Sequence, residues 1–363
     1  MGKIEINHTG SGSGITLSSD GTDLLLDGTA IGGGTALELY AENPSTPTDP
    51  SATGANSVAI GDGASSETTR SLAIGYSSRA YGGEGSLAVG YNAKSFGIGS
   101  TAIGVDSHVN GGNYAVALGR SFANGADSFA AAIGTNSSSY GATGPWGVAV
   151  GYRSKAVGQN GVAIGGTSNI ASGVFSFAVG PSSNVASGMF SVAIGDACEA
   201  TTNNSFAMGH DGKSVIQGKL AFGAGKFSAV GDAQSGSFVL RKTTTDATPT
   251  QLTTNNGAAS TTNQIILPDD SAFAFSGTIV AREQASDGTD CAAWEIKGLI
   301  RREGSAGTTV LVNSATAVFD NTPSWGLTLS ADTSNGGLKI EVTGAAATNI
   351  RWVATINTSE LTY

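Results

Sequence analysis

A pentapeptide of the form small–apolar–Ala–apolar–Gly recurs a dozen times through the middle of this chain, and that repetition constrains the fold more than any other feature. It reads Ser57-Val58-Ala59-Ile60-Gly61, then Ser71-Leu72-Ala73-Ile74-Gly75, then Ser86-Leu87-Ala88-Val89-Gly90. It continues to glycines at Gly104, Gly119, Gly134, Gly151, Gly165, Gly180, Gly195 and Gly209, and ends in the degenerate copy Lys219-Leu220-Ala221-Phe222-Gly223. Successive glycines are 14, 15, 14, 15, 15, 17, 14, 15, 15, 14 and 14 residues apart.

A unit this short holds two short strands and two turns; helical repeats need about 30 residues or more. The apolar–Ala–apolar alternation has the period of a strand, and the closing glycine supplies a backbone free to take φ > 0 at a corner. Stacked coils then form a solenoid whose strands run parallel from coil to coil, with equivalent positions in columns. A roll lined by one or two Val, Ile or Leu plus Ala buries little on its own. Both strand faces avoid water, so one face fills the roll and the other packs on a neighbouring chain; which does which stays open at this point.

Composition agrees with repeated tight turns. Gly is 54 of 363 residues and charged residues only 13%, against about 7% and about 25% in ordinary proteins. The glycines are not at every third position, so collagen is excluded. Net charge is −10 and no stretch clusters Lys and Arg, which argues against a nucleic-acid partner. The two cysteines, Cys198 and Cys291, lie in different parts of the chain and are expected to be reduced and buried. The start, Met1-Gly2-Lys3-Ile4-Glu5, lacks the apolar core of a signal peptide. No run of about 18 apolar residues is present, so synthesis and folding in a cytoplasm, without membrane insertion, are expected.

The Ser-Val-Ala-Ile-Gly repeats resemble the head of trimeric autotransporter adhesins of the YadA type, from about residue 54 to 225. The resemblance implies a trimer of parallel β-rolls, left-handed in that family, and a role in adhesion. Neither the family's coiled-coil stalk nor its C-terminal membrane barrel is visible, so the head is expected to be presented by another route.

The flanks divide the rest. Residues 1–34, with strand-like Ile15-Thr16-Leu17-Ser18 and Asp23-Leu24-Leu25-Leu26 around an Asp20-Gly21 turn, read as an N-terminal β attachment segment. Residues 35–53, with Pro44, Pro47 and Pro50, read as a linker. After a connector at 226–236, residues 237–363 read as an antiparallel β-sandwich or jelly roll. Its strands are expected at Gly236–Lys242, Ala272–Arg282, Ala292–Arg302, Thr308–Leu311, Gly326–Ser330, Gly337–Thr343 and Ile350–Thr355. The stretches Ala293-Trp294-Glu295-Ile296-Lys297-Gly298 and Ile350-Arg351-Trp352-Val353-Ala354, and the N-terminal Ser18 to Leu26, are similar to segments of phage structural and fibre proteins. The resemblance implies a virion fibre: an anchor that docks on another virion protein, a β-roll shaft and a distal knob that meets a host receptor or glycan. It leaves a tail fibre or spike, a capsid head fibre or decoration, and a bacterial adhesin head as readings.

Catalytic chemistry finds little footing. His8, His108 and His210 have no metal-binding spacing and are expected at surface turns or the flexible start. Asp196, Glu199 and Asp211 make the best local carboxylate group; a glycosidase needs two carboxylates about 5–9 Å apart in a groove, and rolls of Ala and Ser offer no deep cleft. No nucleotide, metal or other cofactor site is expected. Contact candidates are Tyr76, Tyr91, Tyr140 and Tyr152, which follow corner glycines or sit in turns, and Arg301 and Arg302 with the tryptophans of the C-terminal part.

Overall fold

The computed structural model describes residues 48–135, 137–321 and 323–363, and within the first 47 the backbone of four strands. Those strands, Ile4–Ile6, Ile15–Ser19, Leu24–Leu26 and Thr29–Ile31, form an antiparallel meander. The proline-containing stretch up to residue 47, and His8, lie outside the described residues.

From Ser51 to Ala224 the chain is an all-β solenoid. Each coil contributes one strand of three to six residues on the pentapeptide and one of two residues after the next turn, building two parallel sheets of twelve strands each. Register is strict. Ala59 pairs with Ala73, Ala73 with Ala88 and Ala88 with Ala102, and the short strands align Ala80 with Ser95 and Ser95 with Val109.

The strand face is now settled: the alanines point inward. Ala73, Ala88, Ala102, Ala149, Ala163 and Ala193 are all fully buried. Opposite them the short strands contribute Ala80, Ser95, Val109 and Ala123, also fully buried. The small residue opening the pentapeptide also faces in, and its hydroxyl ties down the preceding turn. Ser71, Ser100, Ser191 and Ser205 each donate to the carbonyl three residues back at 2.6–2.7 Å. Asn169, Asn184 and Cys198 stack in one interior column, with Asn184 Nδ2 donating to Asn169 Oδ1 (2.9 Å) and the Cys198 amide to Asn184 Oδ1 (3.1 Å). Burial pushes the Cys198 thiol pKa up. Cys291, expected to be buried, is exposed: it opens the strand Cys291–Arg302 with its side chain on the solvent face.

Corner glycines are required where coils touch. Gly165 and Gly180 have φ of +133° and +148°, and a Cβ on either would collide with the carbonyl oxygen of the glycine one coil on. One coil departs from the pattern. After Phe129–Ala131 the chain inserts Ala132 in the left-handed region (φ 55°), and Ile133 turns into the roll, fully buried.

The last coil hands its sheet to the C-terminal domain. Leu220–Gly223 pairs antiparallel with Gln234–Ser237, so the parallel sheet continues as an antiparallel one. Five long strands follow in the order Ala233–Thr244, Ile350–Thr362, Ser271–Glu283, Cys291–Arg302 and Val310–Asp320. A smaller sheet of Gly326–Asp332 and Gly337–Thr343, with Thr250–Gln251 and Ile265–Ile266, completes a sandwich. Its core joins Phe238, Phe273 and Ile296 of one sheet to Leu252, Ile340 and Val342 of the other. Trp294, Trp325 and Trp352 are core residues; Trp294 and Trp325 each sit 5.7 Å from Trp352, whose indole donates to Thr244 Oγ1 at 2.9 Å. The strand expected at Thr308–Leu311 is instead Val310–Asp320. It is an edge strand with most side chains exposed, so it lacks the alternation that marks a half-buried strand.

Lys219 stands where other coils carry a small inward residue, and it closes the end of the roll. Its ammonium reaches Glu360 on the last strand at 2.5 Å, with both side chains almost completely buried. Gln234 Nε2 donates to the same carboxylate oxygen, Oε2, and Thr358 Oγ1 to Oε1, both at 2.7 Å, and the Phe238 ring lies 5.6 Å from Lys219 Nζ. Removing one partner of a buried pair strands the other charge, at a cost of about 3–5 kcal/mol. Lys219→Ala is therefore expected to lower the chemical-denaturation midpoint sharply. Lys219→Met with Glu360→Leu, which removes both charges, is expected to recover most of that loss.

The hairpin joining the two regions is closed by Asp232, whose carboxylate accepts the amides of Ala229 (2.7 Å), Ser228 (2.6 Å) and Phe227 (3.0 Å). These bonds, the Ala229 amide foremost, hold its pKa below the usual 3.8. A depressed carboxylate pKa adds stability above the unfolded value, lost as pH falls through the folded one. Asp232→Asn should therefore flatten the decline in melting temperature from about pH 5 to about pH 3.

Candidate binding surfaces

With Ala inside, the two large residues of each pentapeptide face outward. One column runs Val58, Leu72, Leu87, Thr101, Val116, Phe129, and on to Leu220; the other runs Ile60, Ile74, Val89, Ile103, Leu118, and on to Phe222. Eleven steps of about 4.8 Å make this face about 53 Å tall. Val58, Ile103, Leu220 and Phe222 keep 40–49% of their surface exposed. A continuous apolar face of this size is far larger than a soluble monomer leaves in water, and marks an interaction surface.

The opposite face of the roll is different. Its first outward column, read along the short strands, is Ser51, Ser65, Arg79, Lys94, His108, Phe122, Gly141, Lys155, Ile170, Val185, Glu199 and Lys213. Beside Arg79 and Lys94 a ring ladder runs Tyr81, Phe96, His108 and Phe122, the first three half-buried and Phe122 buried. Phe96 and His108 meet edge-on at 5.2 Å, and His108 and Phe122 at 5.3 Å. Arg79 lies over the Tyr81 ring at 4.4 Å and contacts Glu67 at 3.3 Å. His108, expected in a turn, is thus part of a short strand. Burial, then the charge of Lys94, holds its pKa below 6.5, and its Nε2 is buried with no hydrogen-bond partner.

The contact candidates taken from the sequence fall in separate groups rather than one site. Tyr76 and Tyr91 lie on adjacent coils, about half exposed, with rings stacked at 5.2 Å and 11°. Tyr152 is four coils beyond Tyr91, and Arg153 lies 5.0 Å from its ring and 5.8 Å from that of Tyr140, which packs against the alanine core. Arg301 pairs with Glu303 on the sandwich. Arg302 is tied to Asp269 (2.7 Å) and to the Leu267 carbonyl (2.7 Å). The basic column was missed because it falls in the variable stretch of the repeat. Reading the fourth residue after Gly75, Gly90 and Gly104 finds Arg79, Lys94 and His108.

A family model for the YadA head domain repeat, in two copies, matches residues 52–78, 82–107, 97–121, 142–168, 171–197 and 186–211. The matched segments all lie within the solenoid. Among solved structures the chain is similar to the tailspike protein gp49 of Acinetobacter baumannii bacteriophage Fri1, described as a capsular polysaccharide depolymerase. That likeness has 10% identity and a TM-score of 0.23 and covers 84% of this chain and 59% of that one. The tailspike protein of Acinetobacter baumannii phage AM24 is similar at 11% identity and a TM-score of 0.19, over 84% and 55%. The chain thus spans little more than half the length of either, and likenesses this distant carry no argument about fold or activity. No curated protein matches the sequence.

On the solenoid the three carboxylates of the possible hydrolytic group are engaged in local contacts. Asp196 accepts from Ser182 Oγ (2.8 Å), and Glu199 pairs with Lys213 (2.9 Å). Asp211 is buried against Lys226 (2.9 Å) and His210 (3.2 Å). Among the described residues no group of three or more His, Cys, Asp or Glu is placed to hold a metal ion. A cavity of about 210 Å³ lies where head meets sandwich, lined by Ile216, Pro268 and Phe273 with the Lys219–Glu360 pair.

Proposed function

We propose that this chain is one subunit of a homotrimeric fibre or spike of a phage tail, which holds the particle to the host cell surface without catalysis. The observation that carries the reading is the outward apolar ladder. A roll filled with alanine leaves two apolar residues per coil uncovered, and three rolls around a common axis would cover them along the whole stack. The carboxylates nearest to a hydrolytic arrangement are tied up in contacts with Ser182, Lys213, Lys226 and His210, which favours attachment over cleavage.

In this reading residues 1–34 join another virion protein, 35–53 form the linker, 54–225 the head, 226–236 the connector and 237–363 a distal sandwich. The head repeats favour a second reading, the head of a bacterial trimeric adhesin. A capsid fibre or decoration is the variant of the first. Gold-labelled antibody against the chain separates them by electron microscopy: label at the tail is expected, label on the capsid makes it a head fibre, and label on cells alone supports the adhesin.

The assembly is tested separately. Light scattering is expected to give three times 36.0 kDa. Val150→Asp with Ile194→Asp places charges on the outward ladder without touching the alanine interior. These variants should keep the β-sheet circular-dichroism signal but elute with the mass of one chain; an unchanged trimer would remove this face from the interface.

A further inference from the structure

The outward face of the short-strand sheet has a feature that self-association does not use. Of the seven Lys and Arg residues between 52 and 214, four (Arg79, Lys94, Lys155 and Lys213) stand in one column of the repeat. Arg79, Lys94 and His108 are consecutive in it, in direct register. Like charges directly opposite on neighbouring strands are destabilising, and little inside the chain offsets them here. Glu67 answers Arg79 at 3.3 Å, but Lys94 has no carboxylate partner among the described residues. His108 Nε2 is buried and unbonded.

We propose that this strip binds an acidic polysaccharide, with its anionic groups along Arg79 and Lys94 and its sugar rings against Tyr81 and Phe96. The inference rests on the attachment reading for its biological setting and names the chemistry of what is attached. An anion bridging Arg79 and Lys94, which stand in direct register, would relieve their mutual repulsion. Charge-assisted hydrogen bonds of this kind are among the stronger ones a protein makes. The adjacent rings give sugars an apolar platform, and the coil step of about 4.8 Å is close to the rise between successive sugars in an extended polysaccharide. This face points away from the apolar ladder, so it stays open when the ladder is covered. The chain as a whole is acidic, but at physiological salt a field reaches only about 8 Å, so the local column decides the sign an approaching chain meets.

The test is affinity electrophoresis of the full-length assembly at physiological salt through gels holding alginate, dextran sulfate or neutral dextran. Alginate is expected to retard the protein and dextran not. Retardation by dextran sulfate as well would show that any anionic sugar suffices, and its absence that carboxylates are selected. R79E with K94E should weaken alginate binding about tenfold or more while leaving the mass unchanged. R70E with R153E, the same charge change on turns, should leave binding intact. The proposal is overturned if alginate does not retard the wild type, if the strip variant binds as well as wild type, or if the turn variant loses as much. Binding of an oligonucleotide instead of alginate would also overturn it. A protein that binds alginate through the strip yet labels no virion would keep this site and sink the tail reading.

Discussion

The exclusion of large side chains from the roll is the constraint on which the rest of the structure depends. Adjacent sheets lie so close that the interior is filled mainly by alanine, serine, asparagine and cysteine, with Val109 the larger inward residue of the short strands, and where Ile133 enters the chain inserts Ala132. The hydrophobic residues that would form a core in an ordinary domain are pushed outside. Their burial, and most of the apolar free energy available to the solenoid, is thereby left to whatever covers that face. The glycine corners follow from the same closeness: at Gly165 and Gly180 the next coil's carbonyl occupies the place of a Cβ.

A stack built this way has ends, and an end exposes both unpaired strand edges and the polar interior of the last coil. The C-terminal sandwich deals with both. Its first strand pairs with the last pentapeptide strand, so the sheet has no edge there. Lys219 replaces the interior serine and meets a carboxylate from the chain's final strand. What looks in the sequence like decay of the repeat is the specification of its end.

Much of this was legible because it repeats. Twelve copies in register fix the coil, its period and its corners, and the strand alternation locates both outward positions. Direction was not legible: Val-Ala-Ile alternates equally well with either face inward, and only the roll's small cross-section decides that Ala goes inside. The edge strand Val310–Asp320 has no buried face and so no period to read. Cys291 was placed inside on composition alone, whereas its position at a strand's start gives it to solvent. The aromatic and basic positions of the surface were read as individual residues after each glycine. Their meaning comes from columns, which form only when coils of unequal length are aligned by their hydrogen bonds.

The two faces are under different demands, and this explains where the repeat is uniform and where it varies. Every coil must present an inward Ala and outward apolar residues, because a gap in either column interrupts packing along the stack; Thr101 and Ala131 are rare departures. The short-strand column carries Ser, Arg, Lys, His, Phe, Gly, Ile, Val and Glu with the same backbone beneath. Substituting Lys94 removes a charge from the surface and leaves packing alone, whereas substituting Ala88 breaks the roll. Residues on the variable column can therefore change one coil at a time while the inward alanines and the outward apolar columns are untouched.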